Sequence, residues 1–124
     1  MYYIGKIDRR MLENEFGIIN NENVILTDER KQHIKEKHGI DYGLFVQHAE
    51  NILKFPDIIL KDNKNIHTVF ILKYIKNIYM NIVVKLSLTG DDKRPDHSIM
   101  TAYRIREKNL KKLIERNETI YKTQ

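Results

Sequence analysis

Five histidines, His33, His38, His48, His67 and His97, are the first residues of this chain with chemistry to offer, because imidazole titrates near neutrality and can both remove and donate a proton. His33 and His38 are the pair of interest, since both fall in one stretch with the marks of a helix. Five residues apart on a helix, at roughly 100° per residue, they point about 140° away from each other. Metalloprotease helices instead present two histidines four residues apart. With no HExxH segment and no cysteine, the chain is expected to hold no metal and to need no cofactor. The spacing suggests separate duties, one ring turned toward the body of the protein and the other toward a neighbour or water.

Metal-free cleavage of a ribose-phosphate chain asks for a base near the 2′ hydroxyl, an acid near the leaving oxygen, and cations or hydroxyl donors for the phosphorane charge. The sequence supplies all three. His38 or His33 is the candidate base or acid, Lys85 projects from the polar side of a strand, and Ser98, Thr101, Tyr103, Arg104 and Arg106 crowd the last strand. Strict alternation puts Ser98, Arg104 and Arg106 on one face and Thr101 and Tyr103 on the other, unless a bulge intervenes. Other chemistries lack their motifs. There is no glycine-rich phosphate loop and no GxSxG elbow, and Thr89-Gly90-Asp91-Asp92 is too short for a calcium site.

The elements that must carry these groups follow from period and caps. Residues 1–7 read as a strand, and Val24-Ile25-Leu26 as the lead-in to a helix. That helix, 28–38, has Thr27 as N-cap, Asp28 and Glu29 in its first turn, Lys35 and Lys37 in its last, and Gly39 where a C-terminal cap belongs. A second helix, 42–54, buries Phe45, Ala49, Ile52 and Leu53, and Pro56 ends it. Strands follow at 57–61, 66–75, 78–88 and 97–106, with Lys76-Asn77 as a hairpin-length gap and a loop at 89–96 that carries Lys93 and Arg94. Leu110, Leu113 and Ile114 mark a short C-terminal helix before a polar tail from about residue 116. The expected fold is α+β, two N-terminal helices packed on a curved, mainly antiparallel sheet of about four strands.

At 124 residues the chain is sized for one domain spanning 1–124. No apolar run reaches the roughly 18 residues of a membrane helix and the start lacks a signal-peptide layout, so a soluble cytoplasmic protein is expected. The formal charge is +5, and the surplus is uneven: 10 basic and 6 acidic residues lie from Lys85 onward, against 12 and 11 before it. A polyanionic partner follows from that field.

In their order along the chain, Val24-Ile25-Leu26-Thr27-Asp28-Glu29-Arg30, His33-Ile34, Lys37-His38, Pro56-Asp57-Ile58-Ile59, His67-Thr68, Val83-Val84-Lys85 and Ser98-Ile99-Met100-Thr101-Ala102-Tyr103 resemble the phage-associated barnase, EndoU, colicin and RelE-like nucleases (PBECR). The likeness covers about residues 1–110. It implies a ribonuclease from a phage or mobile element, acting in the cytoplasm of the host cell on RNA, with an antidote or host protein as a further partner. Matched position by position, His33, His38, Thr101 and Tyr103 fall on the family's motifs, and His67-Thr68 stands where the family has Asn-Thr. The expected mechanism is transesterification to a 2′,3′-cyclic phosphate. His38 or His33 would move the proton, Lys85 and Arg104 would stabilise the phosphorane, and Thr101 would donate to a phosphate oxygen. Thr68, Ser98, Tyr103 and Arg106 would bind substrate. The alternative is a binder without turnover, of nucleic acid or of a host protein, on the same scaffold.

Overall fold

Met80, Ile82 and Val84 alternate along one strand and bury completely on one side of the sheet, as strand geometry requires. The computed structural model describes residues 1–90 and 95–123; Lys93 and Arg94, expected in a loop with Asp91 and Asp92, lie outside the described residues. The chain runs β1 (Tyr2–Lys6), a 3-10 turn (Arg9–Met11), α1 (Glu13–Phe16), β2 (Asn23–Leu26), α2 (Asp28–Lys37) and α3 (Gly39–Lys54). It continues through β3 (Ile58–Lys61), β4 (Thr68–Ile75), β5 (Ile78–Lys85), β6 (His97–Ile105), α4 (Glu107–Arg116) and β7 (Glu118–Lys122). The sheet order is β1-β2-β6-β5-β4-β3-β7, antiparallel except where β2 runs parallel to β6.

Among the described residues this is an α+β fold of four α-helices and a mixed seven-stranded sheet, which corrects the expected two N-terminal helices and short C-terminal helix on about four strands. Val24-Ile25-Leu26 is strand β2, not the lead-in to a helix. The expected polar tail holds β7, which pairs with β3 and closes the far edge. Only Ile120 and Tyr121 of β7 are even half-buried, so this edge strand shows little alternation to read.

Two apolar clusters lie on opposite sides of the sheet. On one side Ile34 of α2 and Phe45, Ala49, Ile52 and Leu53 of α3 pack on Val24, Leu26, Ile71, Ile82, Val84 and Ile99. On the other, Leu110 of α4 packs on Ile58, Leu60, Leu72 and Ile105. The second face was expected to be mostly polar, and α4 makes half of it a small core. Beyond the reach of α4, that face keeps its polar residues. The β4–β5 turn at Lys76 and Asn77 takes φ values of 48° and 69°, the left-handed pair that a two-residue hairpin needs. None of the helices among the described residues is long and apolar enough to cross a membrane.

His97 is fully buried and joins three segments: Nδ1 accepts from Ser87 N–H at 2.9 Å, and Nε2 lies 2.6 Å from the Asn21 carbonyl, so the ring is neutral with its proton on Nε2. Burial holds this imidazole below its ordinary value near 6.5. The unfolded chain therefore binds the extra proton first as pH falls. The stabilisation is fully present above pH 6.5 and is lost as pH falls toward the lower folded value. Urea midpoints between pH 8 and pH 5 should drop less for His97→Gln than for the parent, and identical pH slopes would remove His97 from this role.

Candidate active site

Cross-strand pairing decides which side chains share a face, because directly opposed residues point the same way. Thr68 faces Lys85, which faces Ser98; Phe70 faces Val83, which faces Thr101; Leu72 faces Asn81, which faces Tyr103. The β5–β6 register shifts so that Val83 opposes Thr101 while Val84 opposes Ile99, leaving Met100 as the extra residue of a bulge. The bulge reverses the alternation at its N-terminal side. Ser98 therefore joins Thr101 and Tyr103 on the face of Lys85, Thr68 and Asn81, whereas strict alternation had placed it with Arg104.

His38 reaches this face from the side. β2 pairs with β6 at His97 and Ser98, so among the described residues the rest of that β6 edge has no strand partner, and α2 packs alongside it. Arg30 Nη1 lies 3.5 Å from the Met100 carbonyl. Thr27 Oγ1 accepts from Arg30 N–H at the start of α2, Asp28 and Glu29 sit at its positive end, and Ile34 is its one buried residue. The helix stops at Lys37. His38, with φ −136° and ψ 42°, caps α2, and Gly39 opens α3 at once rather than serving as a left-handed cap.

Leaving the helix swings the His38 ring out of the expected orientation. It stacks on Tyr103 with centroids 5.0 Å apart and planes 29° from parallel, and the His33 ring meets it edge-on at 6.4 Å. The 140° separation of an unbroken helix does not apply. One imidazole stacks on the tyrosine and the other meets the first, both half-buried and in reach of solvent.

Asp41 locks that junction. Its N–H donates to the His38 carbonyl at 2.9 Å, and its Oδ2 accepts from Arg104 N–H at 3.1 Å on the free edge of β6. Arg104 Nε lies 2.7 Å from Asp41 Oδ1, an ion pair without the alignment of a hydrogen bond. Arg104 thus sits opposite Met80, on the other face from Thr101 and Tyr103, with its charge held by Asp41.

Two buried polar atoms on the cleft face have no protein partner, Thr101 Oγ1 and Asn81 Oδ1. Such orphans are uncommon and ask for a ligand or water. Asn81 Nδ2 donates to the Tyr103 hydroxyl at 3.1 Å, which leaves the phenolic proton free to donate outward. Lys85 is exposed at the far end, four residues along β5 from Asn81, about 14 Å at roughly 3.4 Å per residue. Thr68 is buried there and bonds the Ile66 carbonyl, while Ser98 lies across from Lys85. Arg106 is outside the strand, at the start of α4, exposed and part of a groove with that helix.

The structure therefore joins His33, His38 and Tyr103 by ring contacts, sets Thr101 next along the same face and Ser98, Lys85 and Thr68 one position beyond it, turns Arg104 to the other face, and places Arg106 in a groove that starts at Tyr103. Asn81 and Asp41 were missed by sequence reasoning. An asparagine in the middle of a β-branched strand is the signal that could have found Asn81, because strands are depleted in it. His67 takes φ 59°, a conformation in which Asn and His are enriched, and its carbonyl accepts from Leu86 N–H. His48 Nε2 is buried without a partner on α3, away from the motif. Among the described residues, no three histidines, aspartates or glutamates gather as a metal site. Comparison with protein-family models, with curated proteins and with solved structures finds no match.

Losing the Asp41 carboxylate leaves Arg104 N–H without its acceptor and frees the helix junction. Hydrogen bonds to charged groups contribute about 1.5–3 kcal/mol, and a half-exposed site belongs at the lower end. Asp41→Ala should lower stability by about 1–2 kcal/mol in urea melts. It should also move the His38 ring resonances, which the Tyr103 ring current shifts in the parent. Unmoved resonances would show that Asp41 does not set the His38 position.

Proposed function

We propose that the protein is an endoribonuclease that cleaves RNA by general acid/base transesterification without a metal. The observation that carries this reading is the run of ring contacts from His33 through His38 to Tyr103, with the unpartnered Thr101 hydroxyl on the same sheet face two residues along β6. One imidazole takes the 2′ proton, and the 2′ oxygen attacks phosphorus. The other imidazole, protonated, gives its proton to the departing 5′ oxygen, leaving a 2′,3′-cyclic phosphate and a 5′ hydroxyl. In this reading Thr101 Oγ1 and the Tyr103 hydroxyl donate to the phosphorane oxygens as charge develops.

One role assigned from sequence changes. Arg104, on the other face and bound to Asp41, is a positioning residue for the junction rather than a phosphorane cation. Lys85 lies two residues along β5 from Val83, the partner of Thr101, about 7 Å at roughly 3.4 Å per residue, so it keeps the role of phosphorane cation, with Ser98 and Thr68 beside it. A setting in the cytoplasm of a host cell, encoded by a phage or mobile element and held in check by an antidote protein, goes with this reading.

General acid/base catalysis contributes about 10²- to 10⁴-fold, so His38→Ala should lose cleavage of total RNA on that scale while its circular dichroism stays that of the parent. Cleavage by the parent should persist in excess EDTA and yield cyclic-phosphate ends. Activity of His38→Ala within a few fold of the parent would remove it from the mechanism, and loss of activity in EDTA would point to metal chemistry.

A further inference from the structure

α4 and the end of β6 enclose an open groove of about 490 Å3 that begins at Tyr103 and continues along Arg106, Asn109, Lys112, Leu113 and Arg116. These α4 positions recur three or four residues apart, so they form one stripe on the helix. Glu107 and Glu115, the acidic residues of the helix, are absent from that wall. Among the described residues the ion-paired lysines and arginines are Arg9, Arg10, Lys61, Lys73 and Arg104. Among the described residues Arg106, Lys112 and Arg116 have no carboxylate within ion-pair distance.

A row of cations in a wall that holds no acidic residue, flanked by the Leu113 side chain and the Tyr103 ring, has the makeup of a track for one nucleic-acid strand: cations for the backbone and apolar surface for the bases. Tyr103 belongs to both the groove and the stack with His38, so a strand lying along α4 is delivered to the imidazoles. We infer that this groove is the binding track for the single-stranded RNA on one side of the cleavage point, with Arg106, Lys112 and Arg116 on consecutive phosphates. The inference rests on the RNA-cleavage reading for its ligand, but its test needs no turnover.

The test is fluorescence anisotropy with a 2′-O-methyl RNA 12-mer, which cannot be cleaved for want of the 2′ hydroxyl, across a range of salt. For single strands the slope of log Kd against log salt is about 0.7 per phosphate contact. The double variant Lys112→Ala/Arg116→Ala should bind more weakly, with the slope shallower by about 1.4. Lys108→Ala/Lys111→Ala removes the same charge from positions of α4 outside the groove and should leave affinity nearly as in the parent. Equal losses in both double variants, no binding by the parent, or displacement of the 12-mer by poly-glutamate of equal charge as readily as by unlabelled 12-mer would each overturn the track, the last in favour of an acidic protein partner. If the parent binds through Lys112 and Arg116 yet leaves RNA uncut, the track stands and the nuclease reading falls. If RNA is cut and the groove variants bind like the parent, the track alone falls.

Discussion

α2 is tied to the protein by few contacts, and the site depends on where it ends. A ten-residue helix with one buried side chain is marginal alone, so its position must come from its ends. At the N-terminal end Thr27 caps it directly after β2. At the C-terminal end the chain breaks at His38, and the Asp41 carboxylate fastens the next turn to the free edge of β6. Had α2 run on through Gly39 into a continuous helix, the rings of His33 and His38 would diverge. The break turns two helix-borne histidines into neighbours.

The same edge is free because β2 is short. It pairs with β6 at two positions and then gives way, so the parallel pairing that makes the sheet mixed also leaves room for α2 to lie against β6. On β6 itself one extra residue, Met100, reconciles two demands. Ile99 and Ala102 must face the main core, while Ser98, Thr101 and Tyr103 must all face the other way. A regular strand cannot satisfy both. The bulge is thus the backbone feature that converts scattered polar residues into a single surface.

Strong local signals were legible in the sequence. The caps at Thr27, the stripe of α3 and the alternation of β5 each have a period or a side-chain hydrogen bond behind them. The short elements were not: β2 has four residues and β7 is polar on an edge, so neither repeats long enough to register against helix or coil. For the site, His33, His38, Thr101 and Tyr103 were found by residue type, but their arrangement was not. Alternation mispredicted Ser98 because a bulge leaves no mark in composition, and Arg104 looked like a free cation because its partner, Asp41, is 63 residues away. Long-range pairing of this kind is invisible to any local window.

What remains unsatisfied in the folded chain is as informative as what is paired. The protein uses a bulge, a helix break and an asparagine within a strand in one small region, each a departure from regular structure that weakens stability. Asn81 could be replaced by an apolar residue and Thr101 by valine with no hydrogen bond to another protein group lost except the one to Tyr103. A surface kept only for stability has no use for those orphaned atoms, since burying polar groups without partners is unfavourable by about 1–3 kcal/mol each. Their concentration beside two adjoining imidazoles, at the mouth of a groove lined by cations and by no acidic residue, separates a binding face from an ordinary side of a sheet.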